Sequence, residues 1–365
     1  MQNRMDQFKQ ILQKEQVDAA VITSTENVFY FTQFFSNPHE RLLAVFLFPE
    51  HDPFLICPAM EVHDAKKSGF AYEICGYSDI ENPWKIIHKE LQKRHISIKR
   101  IGIEKLHMNV ERFEHIRTLF PHAEFASLEG WINEIRMIKD KDEWLKIKKA
   151  CELADFAIEV GMNEIKEGKT ELELVAAIEF ELKKKGVEQM SFSTTVLAGS
   201  NAASPHGKPG NTPIMHGDFV LFDLGVVYEG YCSDITRTIA YSHVSDEQRT
   251  VYETVLAAQV AAVNAVKDGL SCEELDLTAR NIIQQAGYGE YFPHRLGHGL
   301  GISVHEYPSI TETNPLILKK GMVFTIEPGI YIPNKVGVRI EDDIIVTENG
   351  CEVLTKFPKE LIIVS

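Results

Sequence analysis

Asp223 and Asp234 stand eleven residues apart in the stretch Val220-Leu-Phe-Asp-Leu-Gly-Val-Val-Tyr-Glu-Gly-Tyr-Cys-Ser-Asp-Ile-Thr-Arg-Thr238, and His298, Glu327 and Glu341 follow at wide spacing. Asp223 closes the apolar run Phe219-Val-Leu-Phe222 and Glu341 follows Val336 to Ile340, segments whose composition demands burial in strands. A lone ionised carboxylate in an apolar interior takes up a proton unless a cation or several donors meet it. The four acids together would be neutralised by two divalent ions. Hard carboxylate oxygens with one imidazole and no thiolate suit Mn²⁺ first, then Co²⁺, Zn²⁺ or Fe²⁺, and argue against a structural zinc site. Any one of these acids alone reads as a cap, a turn residue or a salt-bridge partner; the five in order read as a dinuclear metallohydrolase centre.

An internal repeat supports that reading. Lys166-Glu-Gly-Lys-Thr-Glu-Leu-Glu-Leu174 matches Lys267-Asp-Gly-Leu-Ser-Cys-Glu-Glu-Leu275, and Gly217-Asp-Phe-Val-Leu-Phe-Asp-Leu-Gly-Val226 matches Gly321-Met-Val-Phe-Thr-Ile-Glu-Pro-Gly-Ile330. The second alignment superposes Asp223 on Glu327. Each half holds a helix with a capping box, Thr170 with Glu173 and Ser271 with Glu274, and later a strand with an inward acid. Two such halves can pack about a pseudo-twofold axis, with metals at the axis drawing ligands from both.

The elements that position these residues need a chain of this size. At 365 residues, with 25% charged content, two soluble globular domains are expected. No apolar run approaches the roughly 20 residues that span a bilayer, and the start Met1 to Gln16 is a polar amphipathic helix rather than a signal peptide, so a cytoplasmic location is expected. Six cysteines, at 57, 75, 151, 232, 272 and 351, are scattered without C-x-x-C spacing and read as reduced thiols. A net charge of −15 argues against nucleic-acid or anionic-membrane partners.

Up to about Leu128, β-type runs (Ala19 to Thr23, Leu42 to Pro49, Pro53 to Pro58, Arg100 to Glu104) alternate with helical patterns (Met5 to Gln16, Trp84 to His95, Asn109 to Phe120), which predicts an α/β domain with a mixed sheet over 1–130. Trp131 to Arg136 reads as the connection to a domain over 131–365. There Asp140-x-x-Glu143 opens a helix running to about Gly168 and Ser245-x-x-Gln248 caps another running to about Lys267, giving four helices in two pairs plus ligand-bearing strands. His294-Arg-Leu-Gly-His-Gly-Leu-Gly301 lacks a G-x-G-x-x-G or P-loop pattern, so its glycines serve close backbone passage rather than phosphate binding.

The motifs FDLG, SDITRT, HRLGHGLG, TIEPGIY and RIEDD resemble those of the pita-bread metallopeptidases: methionine aminopeptidase, aminopeptidase P, prolidase and the metal-free creatinase. The resemblance is strong over about 130–360, and the N-terminal domain resembles that of the prolidase, aminopeptidase P and creatinase branch. It implies an α+β fold, a C-terminal pita-bread domain with a pseudo-twofold repeat behind a smaller α/β domain, and a homodimer. It implies that Asp223 chelates one metal, His298 and Glu327 the other, and that Asp234 and Glu341 bridge them, with a hydroxide between the ions as nucleophile. Glu327 is then the proton shuttle. His206, His294 and His305 match positions that hold the substrate and its transition state, His305 as oxyanion donor and His206 on the leaving-group side. Arg339 would orient carboxylate ligands, positioned in turn by Tyr331.

The substrate implied is a short peptide with proline in second position, most closely an Xaa-Pro dipeptide. Aminopeptidase P action on longer peptides, or a non-peptidase reaction on the same dinuclear site, stays open. Many prolidases resemble one another in an arginine after the His-Glu pair, where this chain has Ser309. Arg295 is the candidate substitute, as in the lactic-acid-bacterial prolidases that this stretch resembles. His39, on a polar loop with Arg41, is a candidate for reaching a neighbouring subunit's site.

Overall fold

Short β-branched and aromatic runs in the first third pair into one sheet, and amphipathic stretches cover it. In this computed structural model, which describes residues 2–365, the chain divides into the units Met1–Arg136 and Met137–Ser365. The first contains α1 (Gln2–Lys14), β1 (Ala19–Ile22), α2 (Thr25–Thr32), β2 (Ala44–Leu47), β3 (Phe54–Pro58), α3 (Val62–Lys67), β4 (Glu73–Tyr77), α4 (Pro83–Arg94), β5 (Arg100–Ile103), α5 (Val110–Leu119), β6 (Glu124–Ser127) and α6 (Glu129–Arg136). The sheet order is β4-β3-β2-β1-β5-β6, with β2 antiparallel to both β1 and β3 and the other pairs parallel. The sheet is therefore mixed. Trp131 to Arg136 is not a bare connection but part of α6, which buries Ile132 and packs on α1, so the division falls after Arg136 rather than at 130.

The second unit contains α7 (Lys141–Glu164), α8 (Glu171–Lys184), β7 (Gln189–Met190), β8 (Thr195–Ala198), β9 (Phe219–Leu224), β10 (Val226–Tyr228), β11 (Tyr231–Cys232), β12 (Ile235–Tyr241), α9 (Asp246–Ala265), α10 (Cys272–Gln285), β13 (Gly297–Gly299), β14 (Glu306–Ile310), β15 (Val323–Ile326), β16 (Gly329–Ile332), β17 (Val336–Arg339), β18 (Asp342–Thr347), β19 (Gly350–Val353) and β20 (Ile363–Val364). All four helices carry complete capping boxes, at Asp140, Thr170, Ser245 and Ser271. Such a box satisfies two of the amide groups that a helix start leaves without partners.

The repeat is visible bond by bond. Gly168 N–H donates to Ile214 O (2.9 Å) and Ile214 N–H returns to Lys169 O (2.8 Å); a repeat later Gly269 N–H donates to Leu318 O (3.0 Å) and Leu318 N–H to Leu270 O (2.8 Å). Each helix pair closes one hydrophobic cluster against its own sheet. One joins Ala150, Ile158, Ile178, Phe222 and Ile239, the other Val255, Ala279, Phe324, Val338 and Ile344. Asp223 and Glu327 thus end equivalent strands of two similar halves. All six cysteines are free, and no helix among the described residues is long and apolar enough to cross a membrane.

Candidate metal centre

Strand ends deliver the candidate ligands. Asp223 projects from β9, which pairs antiparallel with β12 in the register Thr236 to Asp223; Asp234 precedes β12; His298 lies on β13; Glu327 follows β15; Glu341 stands between β17 and β18. Ligating atoms of Asp234, His298 and Glu341 lie within 4.8 Å of one another, and all three residues are buried. His298 Nε2 is 3.3 Å from Glu327 Oε1 and 3.7 Å from Asp234 Oδ2. His298 Nδ1 lies 3.2 Å from Gly299 O, an acceptor only, so this nitrogen carries a proton and Nε2 is the one that faces the acids. Gly297 is obligatory for this placement, because a Cβ there would come within 1.9 Å of Thr325 O.

Two neutral hydroxyls and one guanidinium orient the acids. Thr236 Oγ1 donates to Glu341 Oε2 (2.6 Å) and accepts from Arg339 Nε (3.0 Å). Arg339 also pairs with Asp223 Oδ2 through Nη2 and donates to Tyr331 OH through Nη1 (2.7 Å). Thr325 Oγ1 accepts the His298 N–H (3.1 Å) and donates to Glu327 Oε1 (3.3 Å). His294 has both ring nitrogens engaged, Nδ1 with Arg295 O (2.8 Å) and Nε2 with Tyr331 OH (3.0 Å). The carbonyl requires a proton on Nδ1, so Tyr331 donates to Nε2, and a directed chain runs from Arg339 through Tyr331 and His294 to the backbone.

The electrostatics of the acids are those of a centre built for cations. Burial, reinforced by the neighbouring acids, pushes the Asp234 and Glu341 carboxyls well above the usual carboxylate range. Burial also raises Asp223, although Arg339 opposes it. Burial acts the same way on Glu327, but the hydrogen bond with His298 and the electrostatic influence of His298, His294 and Arg339 outweigh it and hold this carboxyl down at about 2. Asp234 Oδ1 and Glu341 Oε1 are buried with no hydrogen-bond partner. Unsatisfied buried carboxylate oxygens beside an imidazole nitrogen fit divalent metals, and two ions would meet the four acids.

Residues 145–348 match the model of metallopeptidase family M24, and residues 4–138 that of the creatinase/prolidase N-terminal domain. The chain belongs to family M24. It is a metal-dependent peptidase with the pita-bread fold behind a creatinase-type domain. A protein of Bacillus subtilis (strain 168) named "Putative dipeptidase YkvY" is 52% identical over 361 residues, covering 99% of each chain. The crystal structure of recombinant prolidase from Thermococcus sibiricus is 39% identical, with a TM-score of 0.93 over 100% of this chain and 99% of that one. An Xaa-Pro dipeptidase from Bacillus anthracis is 35% identical, with a TM-score of 0.93 over the same shares.

His305 is exposed on the turn before β14, and its ring meets that of His298 edge-on with centroids 4.1 Å apart. Partial burial and the adjoining His298 and Arg295 hold its pKa down at about 4, with a smaller effect from His206. Arg295 donates to the Ser309 hydroxyl (3.3 Å) rather than to a carboxylate. His206 is exposed on the loop after a short 3₁₀ segment, Gly199–Ala203. His39 lies in the first unit, exposed, in a left-handed conformation with φ 59°, and its N–H donates to Asn37 Oδ1 (3.2 Å).

Sequence reasoning missed the buried charges that hold the outer loops. Glu171, at the start of α8, accepts from Ala198 N–H (2.8 Å), Asn201 Nδ2 (3.0 Å) and Gly210 N–H (2.8 Å), bracketing the loop that bears His206. On α10, Asp276 accepts the Leu296 N–H (2.9 Å), and Arg280, paired with Asp276 at 2.6 Å, donates to Phe292 O (3.1 Å) and His294 O (2.9 Å). Only the i,i+4 spacing of Asp276 and Arg280 was a signal. Arg280→Ala is expected to raise KM for peptide substrates roughly 10-fold at unchanged metal content, because it frees the loop carrying His294 and Arg295 without touching a ligand. Steady-state kinetics with elemental analysis check this; an unaltered KM would remove Arg280 from the account.

Proposed function

We propose that this peptidase is a two-metal Xaa-Pro dipeptidase, hydrolysing the bond between an N-terminal residue and a following proline, with Mn²⁺ as its metal. The observation that carries the reading is the pair of unpartnered buried oxygens, Asp234 Oδ1 and Glu341 Oε1, beside His298 Nε2. Asp223 would serve one ion, His298 and Glu327 the other, and Asp234 with Glu341 both. Oxygen ligands with a single imidazole favour Mn²⁺. When bound, the ions supply a water activated as nucleophile at neutral pH and polarise the scissile carbonyl.

The chain's own groups do the rest. Glu327, kept ionised by His298, accepts the proton of the attacking water at a carboxylate oxygen and returns it to the proline nitrogen. His305, neutral at pH 7, donates an N–H to the carbonyl oxygen as it gains charge, and His206 would serve the leaving-group side. Arg339 fixes Asp223 directly and Glu341 through Thr236, while His294 holds Tyr331 against Arg339. Arg295, whose guanidinium donates to the neutral Ser309 hydroxyl, would receive the free carboxylate of a dipeptide. The similarity to a prolidase and to an Xaa-Pro dipeptidase supports this choice of substrate.

Leu-Pro is expected to be cleaved with a higher kcat/KM than Leu-Pro-Gly. A charge-assisted contact from Arg295 contributes about 1.5–3 kcal/mol, or roughly 10- to 150-fold of discrimination. Arg295→Ala should remove most of that preference. Should the tripeptide win in the native enzyme, the chain is an aminopeptidase of the P type and Arg295 has another role.

A further inference from the structure

Lys139 and Glu306 form an ion pair in the interior of the second unit, Nζ to Oε2 at 3.2 Å, with side chains only 1% and 6% exposed. Taking two charges out of water costs about as much as their attraction recovers, and a pair of apolar residues would hold the same elements together as well. Stability therefore does not account for it. What the pair does is local. The backbone of Lys139 is fixed by its N–H bond to Gly321 O (2.9 Å), next to the bridge between Ile138 and Met322. From this anchor its ammonium reaches Glu306, whose other oxygen accepts the Ser303 N–H at 2.9 Å. The carboxylate thus closes the turn 303–306, and His305 is the residue that this turn presents. Gly301 leaves room for it, since a Cβ there would lie 2.8 Å from both carboxylate oxygens. The start of the turn is held from the other side, where Cys232 N–H donates to Gly301 O (2.7 Å).

We propose that the buried Lys139–Glu306 pair is a positioning device for His305, fixing the turn that sets the imidazole against His298. Neither residue is among the five candidate ligands. Their effect passes through the turn, and it rests on the Xaa-Pro peptidase reading of the site.

A double-mutant cycle with His305 tests it. Glu306→Gln, measured on Leu-Pro, is expected to lower kcat roughly 10- to 100-fold with metal content unchanged, the scale on which small misplacements act. In a His305→Ala background the same change should cost nothing further. A loss of equal factor in both backgrounds, or native kcat in Glu306→Gln, overturns the proposal. Glu306→Gln strands the Lys139 charge, so the neutral pair Lys139→Met with Glu306→Gln serves as the second variant and is expected to behave alike. Hydrogen–deuterium exchange gives a readout that needs no substrate: amides 301–306 should exchange faster in both variants while those of β15 do not change. Unchanged exchange at 301–306 would also overturn it. If the native enzyme cleaves no Xaa-Pro peptide, the substrate reading fails, and exchange still decides the role of the pair.

Discussion

Asp234→Asn and Glu341→Gln should each lower kcat/KM by about 10⁴-fold, the scale seen when one member of a cooperating catalytic set is removed. Each acid is influenced by candidate ligands from both halves, so its loss would disturb the whole centre. The same substitutions should have the opposite effect on the stability of the metal-free protein. Burial raises both carboxyls well above the usual range, and Asp234 Oδ1 and Glu341 Oε1 find no donor. A neutral amide of the same shape relieves that repulsion, so metal-free Asp234→Asn is expected to melt above metal-free native protein.

The pH dependence has a definite sign. A group with a raised folded pKa binds more protons folded than unfolded, so its contribution is fully present below the ordinary carboxylate range and is lost as pH rises through the folded value. Chelator-treated native protein should therefore lose stability on going from about pH 5 to about pH 8, as the metal-loaded enzyme, its acids neutralised by cations, does not. Calorimetry of both forms with elemental analysis checks this. Full turnover by either variant sinks the dinuclear reading, and a metal-free native protein that gains stability with rising pH sinks the electrostatic one.

The strands that carry the buried acids were legible because their chemistry conflicts with their surroundings. Asp223 after four apolar residues and Glu341 after a similar run are anomalies that only a cation or donor resolves, and the repeat of Gly217 to Val226 at Gly321 to Ile330 placed Asp223 and Glu327 in equivalent strands. The four helix starts were legible for a related reason: a capping box is contained within four residues, so its signal is local. What stayed hidden is set by tertiary proximity. Thr236 and Thr325 look like ordinary strand threonines until Arg339 and His298 arrive from distant strands. Lys139 meets Glu306 from 167 positions away. In the first unit, β4 and β6 were missed because they are the two edges of the sheet, with only partly buried faces that hold glutamate, and glycine in β4 or serine in β6, among their apolar residues. The helix α2 was missed because Val28, Phe29, Tyr30 and Phe31 read as a strand, and the cap at Ser24 overrides that propensity.

His305→Ala is expected to lower kcat by roughly 10²- to 10³-fold on Leu-Pro, with KM and metal content little changed, which is the cost of removing one oxyanion donor. The expectation rests on geometry and on charge state. The ring lies against His298, a ligand candidate, with centroids 4.1 Å apart, yet the residue remains exposed. Its pKa is held at about 4 by burial and by His298 and Arg295, so at pH 7 the imidazole is neutral and adds no positive charge beside a centre that must bind cations. A neutral donor stabilises the developing oxyanion without competing for the acids. It follows that His305 contributes no step to the kcat profile near the ordinary histidine value of about 6.5, whereas an unperturbed histidine would. Comparing native and His305→Asn profiles separates the cases: a step near that value that vanishes in the variant would mean that His305 titrates as an ordinary histidine, and native kcat in His305→Ala would take it out of the mechanism.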